Sequence, residues 1–125
     1  MTKIVLDTDV LIDVLRGRKA VQAFLEAMAD RFVPSCSVIS VAEIFAGMRE
    51  EEERATRTLL DGLVIIPVTQ DMAEVAGRFK RRTKTRRLEL ADCLIAATVF
   101  VEGAALATGN MKDYPMPEIT VIKAR

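Results

Sequence analysis

The chain has 125 residues with a hydrophobic fraction of 50%, which is expected to form one compact domain over residues 1–125 and leaves no room for a separate regulatory domain. Lys plus Arg and Asp plus Glu are 18 each, so no overall positive field draws in a polyanion, and any nucleic-acid contact must use a local basic patch. Histidine is absent, which excludes serine-protease chemistry and histidine-based nucleases.

Short apolar runs alternate with helical periodicity, the pattern of strands joined by crossover helices in a parallel α/β sheet. Strands are predicted at residues 4–6, 32–33, 63–66, 104–107 and 119–122. The first follows the N-terminus at once and leads into acids, which is not a signal peptide. Helices are predicted from 10 to 16 and from three apolar stripes. These are Val21, Phe24, Leu25 and Met28; Val41, Ile44, Phe45 and Met48; and Met72, Val75, Ala76 and Phe79. Gly17, Gly62 and Gly103 stand where helices should stop. The apolar run 94–101 is too short to cross a bilayer, so a soluble, cytoplasmic protein is expected. Cys36 and Cys93 lack metal-ligand spacing and read as buried, reduced thiols.

Asp7 and Asp9 come directly after the first strand, and ligands in open parallel sheets bind beyond the carboxyl ends of the strands. Helix capping competes as an explanation, but Thr8 or Asp9 suits it better than Asp7, which lies too early. Ser40-Val41-Ala42-Glu43 has the form of a capping box, so Glu43 taken alone reads as structural.

Asp92 is harder to explain away, because its helical neighbours Leu88, Ile95, Ala96 and Val99 are all apolar. A carboxylate on such a stripe needs a partner, either a basic side chain or a metal. The segment Thr108-Gly109-Asn110-Met111-Lys112-Asp113-Tyr114 should open at the same sheet edge, offering Asn110 and Asp113 as oxygen donors or forming an ordinary polar turn. Two carboxylates about 6 Å apart repel by about 3 kcal/mol, so three or four together must gain protons or bind cations. Oxygen ligands without Cys or His select Mg2+ or Mn2+, and a phosphodiester is then a natural substrate.

Three segments together resemble the PIN-domain nucleases, and among them the VapC-type toxins of toxin–antitoxin pairs. They are Leu6-Asp7-Thr8-Asp9-Val10-Leu11-Ile12-Asp13, Ser40-Val41-Ala42-Glu43-Ile44, and Asp92-Cys93-Leu94-Ile95-Ala96-Ala97-Thr98 with the 108–114 segment after it. The resemblance spans essentially the whole chain. It implies a five-stranded parallel sheet in the order 3-2-1-4-5, flanked by helices, and an endoribonuclease dependent on Mg2+ or Mn2+. It makes Asp7 and Asp92 the metal ligands, Glu43 the holder of a water or second ion, and Thr8 their support. The fourth acidic position falls on Asn110 or Asp113; Asp113 is preferred as the anionic one, with Asn110 as its hydrogen-bonding neighbour. Relatives often carry a glycine where this chain has Arg86-Arg87-Leu88. A homodimer and a cognate antitoxin are implied by the same resemblance.

The run from Lys80 to Arg87 is the one dense basic patch, and Arg82, Lys84, Arg86 and Arg87 are candidate RNA contacts. A solvated helix end explains the run equally well. The acids of 50–53 read as i,i+4 pairs, Glu50 with Arg54 and Glu53 with Arg57, on an exposed helix. Two other functions compete. Asp7-Thr8-Asp9 after an apolar strand matches the nucleophile and acid of haloacid-dehalogenase-like phosphatases, although no lysine motif or later paired-acid loop follows. A catalytically silent module that sequesters RNA or a protein gains nothing from an anionic cluster facing phosphate.

Overall fold

The computed structural model describes residues 1–125. Its five strands, β1 (Thr2–Leu6), β2 (Phe32–Ser37), β3 (Val64–Ile66), β4 (Ala105–Thr108) and β5 (Thr120–Lys123), form one all-parallel sheet in the order β3-β2-β1-β4-β5. All five predicted strands are present. The second is longer than expected because Pro34 and Ser35 continue its pairing with β1.

Six helices cover the sheet: α1 (Thr8–Leu15), α2 (Lys19–Met28), α3 (Val38–Gly47), α4 (Glu53–Asp61), α5 (Gln70–Arg82) and α6 (Leu90–Glu102). The two-residue period of a strand divides them between its faces. Ile4 and Leu6 of β1 and Ala107 of β4 pack with Val10, Leu11, Val21 and Ile44 of α1, α2 and α3. Val5 and Leu106, between them in sequence, pack instead with Met72, Val75, Phe79 and Ile95 of α5 and α6. A sheet buried on both faces explains why its strands read as short continuous apolar runs.

Gly17 and Gly103 adopt the left-handed conformation expected after α1 and α6, with φ of 71° and 62°. Gly62 ends α4 without it, at φ −87°. Met48 falls just past the end of α3. Of the two predicted acid–base pairs, Arg57 bonds Glu53 at 2.8 Å. Glu50 forms no pair with Arg54, because residues 50–52 are wound as a separate tight turn in which Glu52 accepts from the Arg49 N–H.

Chain direction is what positions the site. Every strand runs the same way, so residues 7, 37, 66, 108 and 123 all arrive at one edge. The strand order reverses between β1 and β4, which opens the crevice where ligands of such sheets bind.

Candidate active site

Asp7 is the first residue beyond β1, and its carboxylate is nearly completely held by protein donors. The Thr8 N–H donates to Oδ1 at 2.8 Å, the Tyr114 hydroxyl to Oδ1 at 2.9 Å and the Thr108 hydroxyl to Oδ2 at 2.8 Å. The expectation that Asp7 lies too early to cap a helix is incorrect. Helix α1 begins at Thr8, two residues sooner than predicted, and Asp7 is its N-cap. Capping and site formation coincide because the helix starts at the strand's end with no intervening loop.

Glu43 shows the opposite correction. Helix α3 is capped by Ser37, whose Oγ accepts from the Ile39 N–H at 3.1 Å, so Ser40 and Glu43 form no capping box. Ser40 is fully buried in the first turn, and Glu43 lies one turn beyond the start. The Thr8 hydroxyl donates to Glu43 Oε1 at 2.6 Å and also lies 2.9 Å from Ser40 Oγ. That link ties α3 to the first residue of α1.

Asp92 sits in the first turn of α6, above Leu88, Ile95, Ala96 and Val99, all of which are buried as the stripe required. No basic side chain pairs with it. Lys80, at the end of α5, donates to the Leu88 carbonyl instead. Burial, and then the charges of Asp7, Asp113 and Glu43, push the Asp92 carboxyl up to about 6. Burial also raises Asp7, although its hydrogen bonds from Thr108, Tyr114 and Thr8 oppose that shift. Four acids, from the N-cap of α1, from α3, from α6 and from the 108–114 segment, thus share one field. Asp113 is anchored by Asn110, whose Nδ2 donates to its Oδ2 at 2.8 Å, the relationship preferred from sequence.

Asp9 also feels this group, since burial and then the charge of Asp7 raise its carboxyl, but it is held differently. Its Oδ2 accepts from the Gly109 N–H at 3.0 Å and pairs with Arg125, which also holds the buried Asp13. Asp9 therefore supports the loop after β4 through Oδ2, and that tie engages the acid a phosphatase reading needs as a free partner of Asp7. Gly109 leaves room for the clamp, because a Cβ there would run into the Arg125 guanidinium. Replacing Arg125 with Ala is expected to cost about 2 kcal/mol by removing the cation paired with Asp9 and one of the two paired with Asp13, which keeps Arg18. Urea unfolding checks this, and Arg125→Lys should recover part of the loss.

No three carboxylate or thiol side chains converge closely enough to enclose an ion by themselves. That arrangement still suits a small hard cation, which is ordinarily held by one or two carboxylates and completed by waters and phosphate oxygens. The unpaired Asp92 beside Asp7 supplies such a donor set, with oxygen ligands only. Cys36 and Cys93 are buried and free, and burial pushes the Cys36 thiol up to about 11, so neither contributes a thiolate.

Of the basic candidates, Lys84, Arg86 and Arg87 are exposed on the segment entering α6 and take part in none of the ion pairs. Arg82 differs from expectation. It is paired with Glu118 through both guanidinium nitrogens and lies over the Phe79 ring at 5.2 Å, so it is already engaged. Thr108 and Tyr114, both bonded to Asp7, were not singled out from sequence. Nothing about a hydroxyl ending a strand or an aromatic residue after a turn marks it as a carboxylate partner.

The PIN domain family model matches residues 4–112. Ribonuclease VapC10 of Mycobacterium tuberculosis is 39% identical over 117 residues, covering 92% of this chain and 88% of that protein. Ribonuclease VapC19 of the same species is 34% identical over 114 residues, covering 89% and 91%. Among solved structures, a toxin–antitoxin complex from Klebsiella pneumoniae superimposes with a TM-score of 0.83 at 30% identity, covering 99% of this chain and 98% of that one. Sheet order, the acids gathered at its edge and these matches agree, and the chain belongs to the PIN-domain family, as a member of its VapC group.

Proposed function

We propose that this protein is an endoribonuclease and the toxin of a VapBC-type pair, cleaving RNA phosphodiesters with a divalent ion, Mg2+ or Mn2+, held by Asp7 and Asp92. The observation that carries this reading is Asp92, a carboxylate without a basic partner that faces the charges of Asp7, Asp113 and Glu43. Both M. tuberculosis relatives are named ribonucleases, which supports RNA as the substrate class.

When bound, such an ion stabilises charge on the phosphate and provides a nucleophile from water at neutral pH. The protein's own groups do the rest. Thr108 and Tyr114 keep the Asp7 carboxylate in one orientation, and Thr8 holds Glu43 near it, where it can accept a proton from the attacking water. Asp113, held by Asn110, adds a fourth negative group that favours a cation between them. Lys84, Arg86 and Arg87 grip backbone phosphates beside the acids, giving affinity without sequence choice.

A cavity of about 290 Å3 opens next to Glu43, lined by Ile12, Leu15, Ile44 and Met48 among others, and suits the apolar side chains of an antitoxin segment. The Klebsiella neighbour is itself a toxin–antitoxin complex, which supports a partner of that kind. We place the protein in the cytoplasm as a homodimer; no helix is long and apolar enough to cross a membrane. The test is cleavage of total RNA by the purified protein, with and without chelator. Activity lost in excess EDTA and restored by Mg2+ or Mn2+ is expected, and undiminished cleavage in EDTA would falsify the proposal.

A further inference from the structure

Tyr114 is the chain's one tyrosine, and it follows directly after a single helical turn, Met111–Asp113. Its ring belongs to the core under α5 and α6, packed in the cluster that contains Val5, Met72 and Leu106, and the residue is 4% exposed. A side chain fixed in this way cannot follow Asp7 if that carboxylate rotates. Its hydroxyl lies 2.9 Å from Asp7 Oδ1 and 3.4 Å from Asp92 Oδ1. A phenol has one hydrogen to give, and the shorter contact takes it.

A carboxylate has about four lone-pair positions, two on each oxygen. On Asp7, both positions of Oδ1 are filled, one by the Thr8 N–H and one by Tyr114, while the Thr108 hydroxyl takes one on Oδ2. A single position is left, on Oδ2. An ion can grip a carboxylate through both oxygens only if each has a free lone pair, and Asp7 does not meet that condition. Ca2+ takes six to eight oxygens and readily uses two-oxygen carboxylates, whereas Mg2+ requires a compact octahedron of single oxygens.

We propose that Tyr114 is a positioning residue that confines Asp7 to ligation through one oxygen and so makes this site discriminate against Ca2+. The inference rests on the reading of Asp7 and Asp92 as ion ligands given above. It deepens that reading by assigning ion selectivity to a side chain outside the acid cluster.

The test is calorimetric titration of Mg2+ and, separately, Ca2+ into the full-length wild-type protein and the Tyr114→Phe variant, without RNA. Wild type should bind Mg2+ more tightly than Ca2+. Removal of the phenol donor should lower the ratio of Mg2+ to Ca2+ affinity by roughly tenfold, the scale of one hydrogen bond to a charged group. A folded Tyr114→Phe protein with the wild-type ratio would overturn the inference while leaving the ion site standing. Failure of wild type to bind either ion would overturn the ion site itself.

A second measurement does not depend on that variant folding. Because the chain has one tyrosine, growth on meta-fluorotyrosine labels this position alone. The fluorinated phenol is a stronger donor, so the affinity ratio should rise, and its single fluorine resonance should shift when Mg2+ is added. An unchanged ratio together with an unmoved resonance at saturating Mg2+ would also overturn the role assigned to Tyr114.

Discussion

Asp92→Asn is expected to remove RNA cleavage and, in the absence of metal, to raise the melting temperature. The two effects have one cause. Asp92 has no cation beside it, and its carboxyl is pushed up to about 6 by burial and by Asp7, Asp113 and Glu43, so its charge opposes folding at neutral pH. An amide of the same shape relieves that repulsion. It also withdraws a ligand, and since loss of a mere supporting group around a metal costs ten- to a hundredfold, loss of Asp92 should cost at least about a hundredfold in cleavage rate.

Asp7→Asn should lose activity to the same degree without the gain in stability. Asp7 caps α1 and accepts from Thr8, Thr108 and Tyr114, and an amide has only one oxygen with which to accept. Thermal melts of the metal-free variants beside an RNA cleavage assay separate these outcomes. An Asp92→Asn protein with wild-type activity, or one that melts lower at neutral pH, would contradict the account.

The second large effect is a dependence of ion binding on pH. In the unfolded chain Asp92 titrates near its ordinary value of 3.8, and in the folded protein near 6. Between those values the native state holds a proton that the unfolded state has released. Metal-free stability contributed by this group is therefore fully present below the lower value, falls as pH rises through the window, and is gone above it. Ion binding must expel the same proton, so apparent Mg2+ affinity should drop by about tenfold per pH unit below the folded value. Asp7, also raised, sharpens the loss.

The measurable consequence is that a fixed Mg2+ concentration raises the melting temperature at about pH 8 and does little at about pH 5. Asp92→Asn should remove most of the Mg2+ response at the higher pH. A Mg2+ shift that stays constant across this range would show that the acids do not hold the ion.

The amino-acid sequence by itself determined the fold class and the five strands, for reasons that are local. Runs such as Ile4-Val5-Leu6 and Ala105-Leu106-Ala107 are buried on both faces, as strands of a parallel sheet covered by helices are. The apolar neighbours of Asp92 likewise mark, in the sequence alone, a charge that needs a partner. What sequence could not decide was which of two local roles a residue takes when both use the same atoms. Asp7 was denied a cap it provides, and Glu43 was offered a capping box that Ser37 makes unnecessary, because helix starts depend on where a strand ends against its neighbours. Arg82 looked as free as Lys84 until Glu118 was brought beside it. The partners of Asp7 come from residues 101 and 107 positions away, Thr108 and Tyr114, and only the parallel pairing of β1 with β4 brings them within reach. Contacts of that separation leave no periodic trace in a sequence, since they are set by sheet register and by the way one packed loop returns to the edge.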